Sequence, residues 1–274
     1  MISIVTPSFN QLSYLQRCCA SVADQQFPHE HIIMDGGSTD GTVEWLKGQT
    51  GLRWISEPDR GMYDAINKGI AMAKGDIMAY LNCDEQYLPD TLAAVEAAFL
   101  RYPKTDIVYG DTLLIRPDGT LASFRKAYPL RWSYVASSHL YVLSCATFYR
   151  KALLERCGGY DTSWRTVGDA DLMLRSLRAG AGSVRLPLYL SVFTLWGGNL
   201  GSSSQAEAEM SQLSRRAPVW VRVLRPVLNI GRLTEKVLSG AFRQSWPLIY
   251  AVYTDAFSGR TRITAQSGTF HWPR

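Results

Sequence analysis

The sequence predicts an α/β protein with a mostly parallel central sheet flanked by helices, followed by a basic, helical C-terminal region. Three observations carry this prediction. Short apolar runs alternate with helically spaced apolar stripes over the first 110 residues. Of the 274 residues, 46% are hydrophobic and 19% charged, enough for a core and too few charges for a disordered chain. The charge changes sign late in the chain: Ser214 to Arg274 holds 10 basic and 2 acidic residues, whereas the first 213 hold 19 and 22.

The elements follow in order. Ser3 to Thr6 is a short apolar strand ended by Pro7, and Leu12, Leu15, Cys19 and Val22 then recur at gaps of 3, 4 and 3, giving a helix. His31 to Met34 is a second strand, closed by Asp35-Gly36-Gly37-Ser38, and Thr42 to Lys47 a short helix behind that polar turn. Leu52 to Ser56 supplies a third strand. Met62, Ala65, Ile66, Gly69, Ile70 and Ala73 form one helical face, with Asp64, Asn67 and Lys68 on others. Ile77 to Leu81 is the fourth strand; Leu88, Leu92, Val95 and Phe99 mark a helix entered through Pro89; Asp106 to Tyr109 is a fifth strand. Pro117-Asp118-Gly119 reads as a hairpin turn. A boundary is expected near Gly201 to Gln205, dividing a domain of residues 1–204 from a basic amphipathic region of residues 205–274.

In that second region Arg215, Arg222, Arg225, Asn229, Arg232, Lys236 and Arg243 recur as one helical stripe, with Leu224, Leu228, Val237, Leu238 and Phe242 largely off it. With Trp220, Trp246, Tyr250 and Tyr253 nearby, the stripe suits an anionic membrane surface, and it equally suits helices packed on the first domain with a solvated basic face. No nucleic-acid-binding motif accompanies the charge. No segment has the uninterrupted apolar length of a membrane span, and Met1 to Val5 reads as a strand rather than a secretory leader. The five cysteines are odd in number and contain no C-x-x-C, which fits a reducing cytoplasm.

Ligands of a parallel sheet bind at the carboxyl ends of its strands, and the polar clusters fall at strand ends or helix starts. Asn82 and Asp84 point one way in extended chain while Cys83 points the other; a carboxylate beside an amide oxygen suits Mg²⁺ or Mn²⁺, and an Asx turn accounts for it equally. Asp169 and Asp171, about 200° apart on a helix, must have different jobs. Asp171 stands four residues before Arg175, the spacing of an exposed ion pair, which frees Asp169 to accept a proton or cap the helix. There is no G-x-G-x-x-G after the first strand, no P-loop, no H-E-x-x-H and no G-x-S-x-G; His139 is the only midchain histidine.

Taken together, Val5-Thr6-Pro7-Ser8-Phe9-Asn10, Met34-Asp35-Gly36-Gly37-Ser38-Thr39-Asp40-Gly41-Thr42, Glu57 to Gly69, Ala73-Lys74-Gly75-Asp76, Leu81-Asn82-Cys83-Asp84, Gly158-Gly159-Tyr160-Asp161 and Gly168-Asp169-Ala170-Asp171-Leu172 resemble the family 2 glycosyltransferases. These are bacterial polysaccharide enzymes with a GT-A fold, and the resemblance covers roughly residues 1 to 200. It implies a nucleotide-sugar donor, UDP-linked, bound by Thr6, Pro7, Ser8, Asp35, Gly37, Asp59, Arg60, Asn67, Asn82 and Cys83. Thr6, Pro7 and Asp35 would hold nucleobase and ribose, and Asp59 with Arg60 a further part of the nucleotide. Asp84 would match the last acid of the D-x-D motif and hold the divalent metal, Mn²⁺ or Mg²⁺; Asp169 would be the catalytic base of an inverting transfer to a lipid-linked or growing glycan. Expected localisation is cytoplasmic, peripheral on the membrane face.

Two departures stand out. Asn82 replaces the first D-x-D acid, and Ser144-Cys145 stands where relatives often have His-Gln. They motivate a rival expectation, a non-catalytic nucleotide-sugar-binding or scaffold subunit. A sugar-phosphate nucleotidyltransferase is disfavoured because the Gly-rich basic loop after the first strand is missing.

Overall fold

The computed structural model describes residues 1–199 and 204–273, so of the expected boundary near Gly201 to Gln205 only Ser204 and Gln205 lie within the described residues. The first half alternates as expected: β1 (Ile2–Ser8), α1 (Leu12–Ala23), β2 (His29–Asp35), α2 (Thr42–Lys47), β3 (Arg53–Ser56), α3 (Met62–Met72) and β4 (Ile77–Tyr80). Then come β5 (Glu85–Tyr87), α4 (Thr91–Arg101), β6 (Ile107–Ile115), β7 (Leu121–Arg125), α5 (Trp132–Ser137), β8 (Thr147–Arg150), α6 (Lys151–Arg156), α7 (Gly168–Arg178) and β9 (Ser183–Thr194).

The strands join in the order β3-β2-β1-β4-β8-β6-β9-β5, with β7 also on β6. From β3 to β4 the pairing is parallel, and Ile2, Ile4, Val5, Ile32 and Ile33 are fully buried, as strands covered by helices on both faces must be. Beyond β4 the sheet is mixed. β8 runs antiparallel to β4 and β6, β5 antiparallel to β9, and β6 parallel to β9. Pro117-Asp118-Gly119 turns β6 into β7, with Gly119 at φ 87°.

On α3, Ala65, Ile66 and Gly69 face the core, yet Asp64 is buried too. The carboxylate is held between Arg60 at 3.0 Å and Lys68 at 3.4 Å, and the Arg60 hydrogen bond pulls its pKa down. The Asp171–Arg175 pair forms at 2.7 Å and is half-buried rather than exposed, because the same guanidinium also binds the carbonyls of Cys157 and Gly159.

The C-terminal region is helical only in part. α8 (Ser204–Arg215), α9 (Val219–Val223) and α10 (Arg225–Leu238) are followed by an antiparallel hairpin, β10 (Leu248–Val252) and β11 (Thr261–Ala265). Tyr250 and Val252 pack with Leu113, Ile115, Phe124 and Val192 of the main sheet, and Arg260 grips Asp24, just past the end of α1, through two contacts of 2.6 and 2.7 Å. Helical periodicity could not foresee the hairpin, since its stability comes from core residues, Leu113 to Val192, that lie far earlier in the chain.

The amphipathic segment sits in the inverse of the expected packed arrangement. On α10, Asn229, Arg232, Glu235 and Lys236 are half-buried against the domain: Arg131 pairs with Glu235, and Arg232 donates to the Tyr128 hydroxyl at 3.0 Å. Gly231 allows the close approach, since a Cβ there would meet the Tyr134 hydroxyl at 3.0 Å. Val223, Val227, Ile230, Val237 and Leu238 point to solvent, each between 57% and 80% exposed.

Candidate active site

A cleft of about 1090 Å³ opens at the carboxyl ends of β1 and β4 and runs past the start of α7. Its walls include Pro7, Ser8, Asn82, Asp84 and Asp169, all from polar clusters at strand ends or helix starts, and Asp59, which only the family resemblance singled out.

Asp84 lies in the turn after β4. Its Oδ2 accepts hydrogen bonds from Trp196 Nε1 and Asn199 Nδ2, both at 2.8 Å, so neither falls on Oδ1. Glu85 follows, 1% exposed, with Oε2 accepting from the Asn82 amide N–H at 2.7 Å. Burial raises both carboxyls, and the Asp84 charge adds to the effect on Glu85, which reaches about 8. A half-buried carboxyl, Asp84, beside the buried Glu85 and the amide side chain of Asn82 fits a hard divalent cation: Mg²⁺ and Mn²⁺ take one or two protein oxygens and fill the shell with phosphate and water. Among the described residues there is no group of three His, Cys, Asp or Glu side chains of the kind an all-protein metal cage would need. Cys83 points away, its thiol donating to the Pro7 carbonyl at 3.2 Å among Leu15, Cys19, Ile33 and Leu46, and burial pushes it up to about 12. The alternation of residues 82, 83 and 84 is as expected, and it removes Cys83 from the donor-binding set.

Asp169 stands in the first turn of α7, its Oδ1 accepting from the Ala170 N–H at 2.8 Å. Its backbone N–H donates to the Tyr63 hydroxyl at 3.3 Å. Tyr63 stacks on Tyr160 at 5.4 Å between ring centres, and Tyr80 meets Tyr160 edge-on. Burial raises the Asp169 carboxyl to about 6, against the lowering effect of its hydrogen bonds, close to neutrality, where a base combines ionisation with proton affinity. Gly168 is what lets the helix start here: a Cβ would lie 2.7 Å from the Tyr63 ring.

The other expected donor residues divide. Asp59 lines the cleft, its Oδ1 accepting from the Gly61 N–H at 2.7 Å. Asp35 is 2% exposed and saturated within its own turn, accepting from the N–H groups of Gly37 and Ser38 and from the hydroxyls of Ser38 and Ser56 at 2.5 to 3.2 Å. Gly37, at φ 85°, makes that turn possible. Thr6 is buried, hydrogen-bonded to His31 Nε2 at 2.8 Å, and supports the loop from beneath. The Arg60 side chain is exposed and reaches back to pair with the buried Asp64 of α3. Asn67 is a brace: its amide donates to the Tyr160 carbonyl at 2.7 Å and accepts from the Tyr160 N–H at 2.9 Å, pinning the 158–160 loop to α3. Thr6, Asn67 and Cys83 thus hold the walls rather than face the cleft.

Sequence reasoning missed Glu85, Trp196, Asn199, Arg125 and Trp272, all in the cleft. Trp196 and Asn199 follow β9 at a strand end, a signal available in principle. Trp272 reaches the cleft because the hairpin returns, for which no local signal exists. Ser144 lines the cleft, whereas Cys145 is buried and accepts from the Ser191 hydroxyl at 3.2 Å.

Residues 3–158 match the model of glycosyl transferase family 2. The chain is 30% identical over 254 residues to a PGL/p-HBAD biosynthesis glycosyltransferase of Mycobacterium bovis, covering 88% of this chain and 93% of the relative. It superposes on S. aureus TarS 1-349 in complex with UDP-GlcNAc with a TM-score of 0.58 at 15% identity, covering 94% and 98% of the two chains. The mannosyltransferase PcManGT from Pyrobaculum calidifontis, in complex with GDP-Man and Mn²⁺, gives a TM-score of 0.54 at 16% identity, covering 85% and 75%.

Proposed function

The chain belongs to glycosyl transferase family 2 and has the GT-A fold, and from its cleft we infer that it is an inverting, metal-dependent enzyme moving a sugar from a nucleotide donor to a lipid-linked or growing glycan at a membrane face. The carrying observation is Asp84 and Asp169 on the walls of one cleft, one in the turn after β4 and the other in the first turn of α7. Asp84, with Asn82 and Glu85, would hold Mn²⁺ or Mg²⁺, which supplies charge stabilisation to the departing nucleoside diphosphate. Asp169, ionised at neutral pH, accepts the acceptor hydroxyl's proton as its oxygen attacks the anomeric carbon from the face opposite the leaving group, which inverts that centre. Pro7, Ser8 and Asp59 position the nucleotide. The neighbours' ligands favour a UDP- or GDP-sugar.

The outward apolar face of α9 and α10 supports membrane association. No helix among the described residues is long and apolar enough to cross a bilayer. Val223, Val227, Ile230, Val237 and Leu238 form a stripe that water does not reward, at about 1.5–3 kcal/mol per fully buried side chain, and Arg222 and Arg225 of the same segment are also exposed, charges that suit anionic headgroups.

Transfer is tested by incubating the protein with UDP-, GDP- and dTDP-sugars, Mn²⁺ and a glycolipid extract. Wild type should release nucleoside diphosphate and Asp169→Asn should not; equal signals from both would refute the assignment of the base. Donor binding without turnover in wild type would favour the non-catalytic subunit that Asn82 suggests.

A further inference from the structure

The inner face of α10 carries a second feature. Arg232 and Lys236 meet Arg125 at the end of β7. Arg232 is bonded to the Tyr128 hydroxyl. The Lys236 ammonium lies 4.5 Å from the ring centre of Phe242 and 5.9 Å from that of Phe270. Arg125 donates to the Phe270 carbonyl at 3.1 Å and lies 5.9 Å from the Trp272 ring centre.

Among the described residues none of the three makes an ion pair: Glu235 pairs with Arg131 through Oε1, its Oε2 making no hydrogen bond, and Asp111 pairs with Arg185. All three side chains are half-buried. Burial, with repulsion from Arg125 and Arg232, pulls the Lys236 ammonium down to about 8. Like charges gathered without a counter-ion are destabilising, and an anion seated among them removes the penalty. Arg125 and Trp272 line the same cleft as Asp84 and Asp169, so this anion site is continuous with the candidate active site.

We propose that Arg125, Arg232 and Lys236 bind the phosphate or diphosphate of an amphiphilic acceptor, with the apolar tail directed along the outer face of α10 and the sugar-accepting hydroxyl directed into the cleft. The proposal rests on the transferase reading above. It is separate from the donor's own diphosphate, which that reading assigns to the metal that Asp84 would hold. One helix thus serves both ends of an amphiphile: Val227, Ile230 and Val237 outward for the chain, Arg232 and Lys236 inward for the anion.

The test is calorimetric binding of octyl diphosphate and of inorganic diphosphate in EDTA, with wild type, Arg232→Gln/Lys236→Gln and Lys236→Arg. Octyl diphosphate should bind wild type more tightly than inorganic diphosphate, bind the double variant at least tenfold more weakly, and bind Lys236→Arg nearly as wild type. Thermal melting of each variant separates charge loss from misfolding. Equal affinity of wild type and a folded double variant would overturn the proposal. Inorganic diphosphate binding as tightly as the octyl compound would overturn the acceptor assignment in favour of a free-anion site. Nucleotide-sugar binding, measured with Mn²⁺ in the same variants, should be unchanged. If wild type binds octyl diphosphate yet neither binds nor turns over any nucleotide sugar, the transferase reading fails while the anion site stands.

Discussion

The Trp196 indole N–H donates to Asp84 Oδ2 at 2.8 Å, tying the segment after β9 to the turn after β4 across 112 residues of chain. The bond orients the carboxylate assigned to the metal, and orienting partners typically change metal affinity by about 10–100-fold when removed. Trp196→Phe should therefore raise the Mn²⁺ concentration for half-maximal turnover by roughly tenfold, with kcat restored at saturating metal. A metal titration of the variant checks this; an unchanged midpoint would separate Trp196 from the metal.

Asp169 links catalysis to stability with opposite signs. Its folded pKa of about 6 lies above the unfolded carboxylate value, so the group costs nothing below the unfolded range and destabilises the fold as pH rises through 6. Asp169→Asn should abolish transfer by at least about 10²-fold. It should also raise the melting temperature at pH 8 more than at pH 4.5, by up to roughly 1–3 kcal/mol of stability. In wild type, kcat/KM should fall with acid along a limb centred near pH 6. Melting curves at the two pH values and a pH–rate profile measure both effects.

Gly168→Ala places a methyl 2.7 Å from the buried Tyr63 ring, so the ring or α7 must move. A cost of about 1–3 kcal/mol is expected, with a fall in kcat larger than any change in donor KM, because the start of α7 carries Asp169. Full activity with unchanged melting would show that the site tolerates the shift.

Asn67→Ala should act differently. It removes both hydrogen bonds to the Tyr160 backbone, at about 1–3 kcal/mol for the groups left unpaired, and leaves donor affinity near wild type. A raised donor KM without loss of stability would restore Asn67 to the binding set.

Val227→Glu/Ile230→Glu tests the outward face of α10. Both side chains are more than 60% exposed, so melting should stay within about 1 kcal/mol of wild type, while sedimentation with vesicles of phosphatidylcholine and phosphatidylglycerol is lost. Point changes serve better than truncation because β10 and β11 belong to the main core. Loss of a dimer rather than of vesicle binding would identify a second copy of the chain as the true cover.

Much of this was legible in the residues themselves. The helical rotation between Asp169 and Asp171 is local geometry that the sequence carries by itself; Asn82, Cys83 and Asp84 divide between cleft and interior as expected, although the segment is a turn rather than the extended chain from which that expectation came. Thr6 and Asn67 were not legible, because their partners His31 and Tyr160 lie 25 and 93 residues away and a motif does not say which side of a turn a residue braces. For α10 the periodicity gave a stripe, yet which side faced the domain depended on Tyr128, Tyr134 and Arg131 offering polar rather than apolar partners.

The most direct measurement is nucleoside diphosphate release from a panel of UDP-, GDP- and dTDP-sugars by wild type and Asp84→Ala, each with Mn²⁺ and with EDTA. Metal-dependent release from one donor, lost in EDTA and in Asp84→Ala, is the predicted result. Release that survives both EDTA and the substitution would contradict the assignment of Asp84 as the metal-binding carboxylate of this cleft.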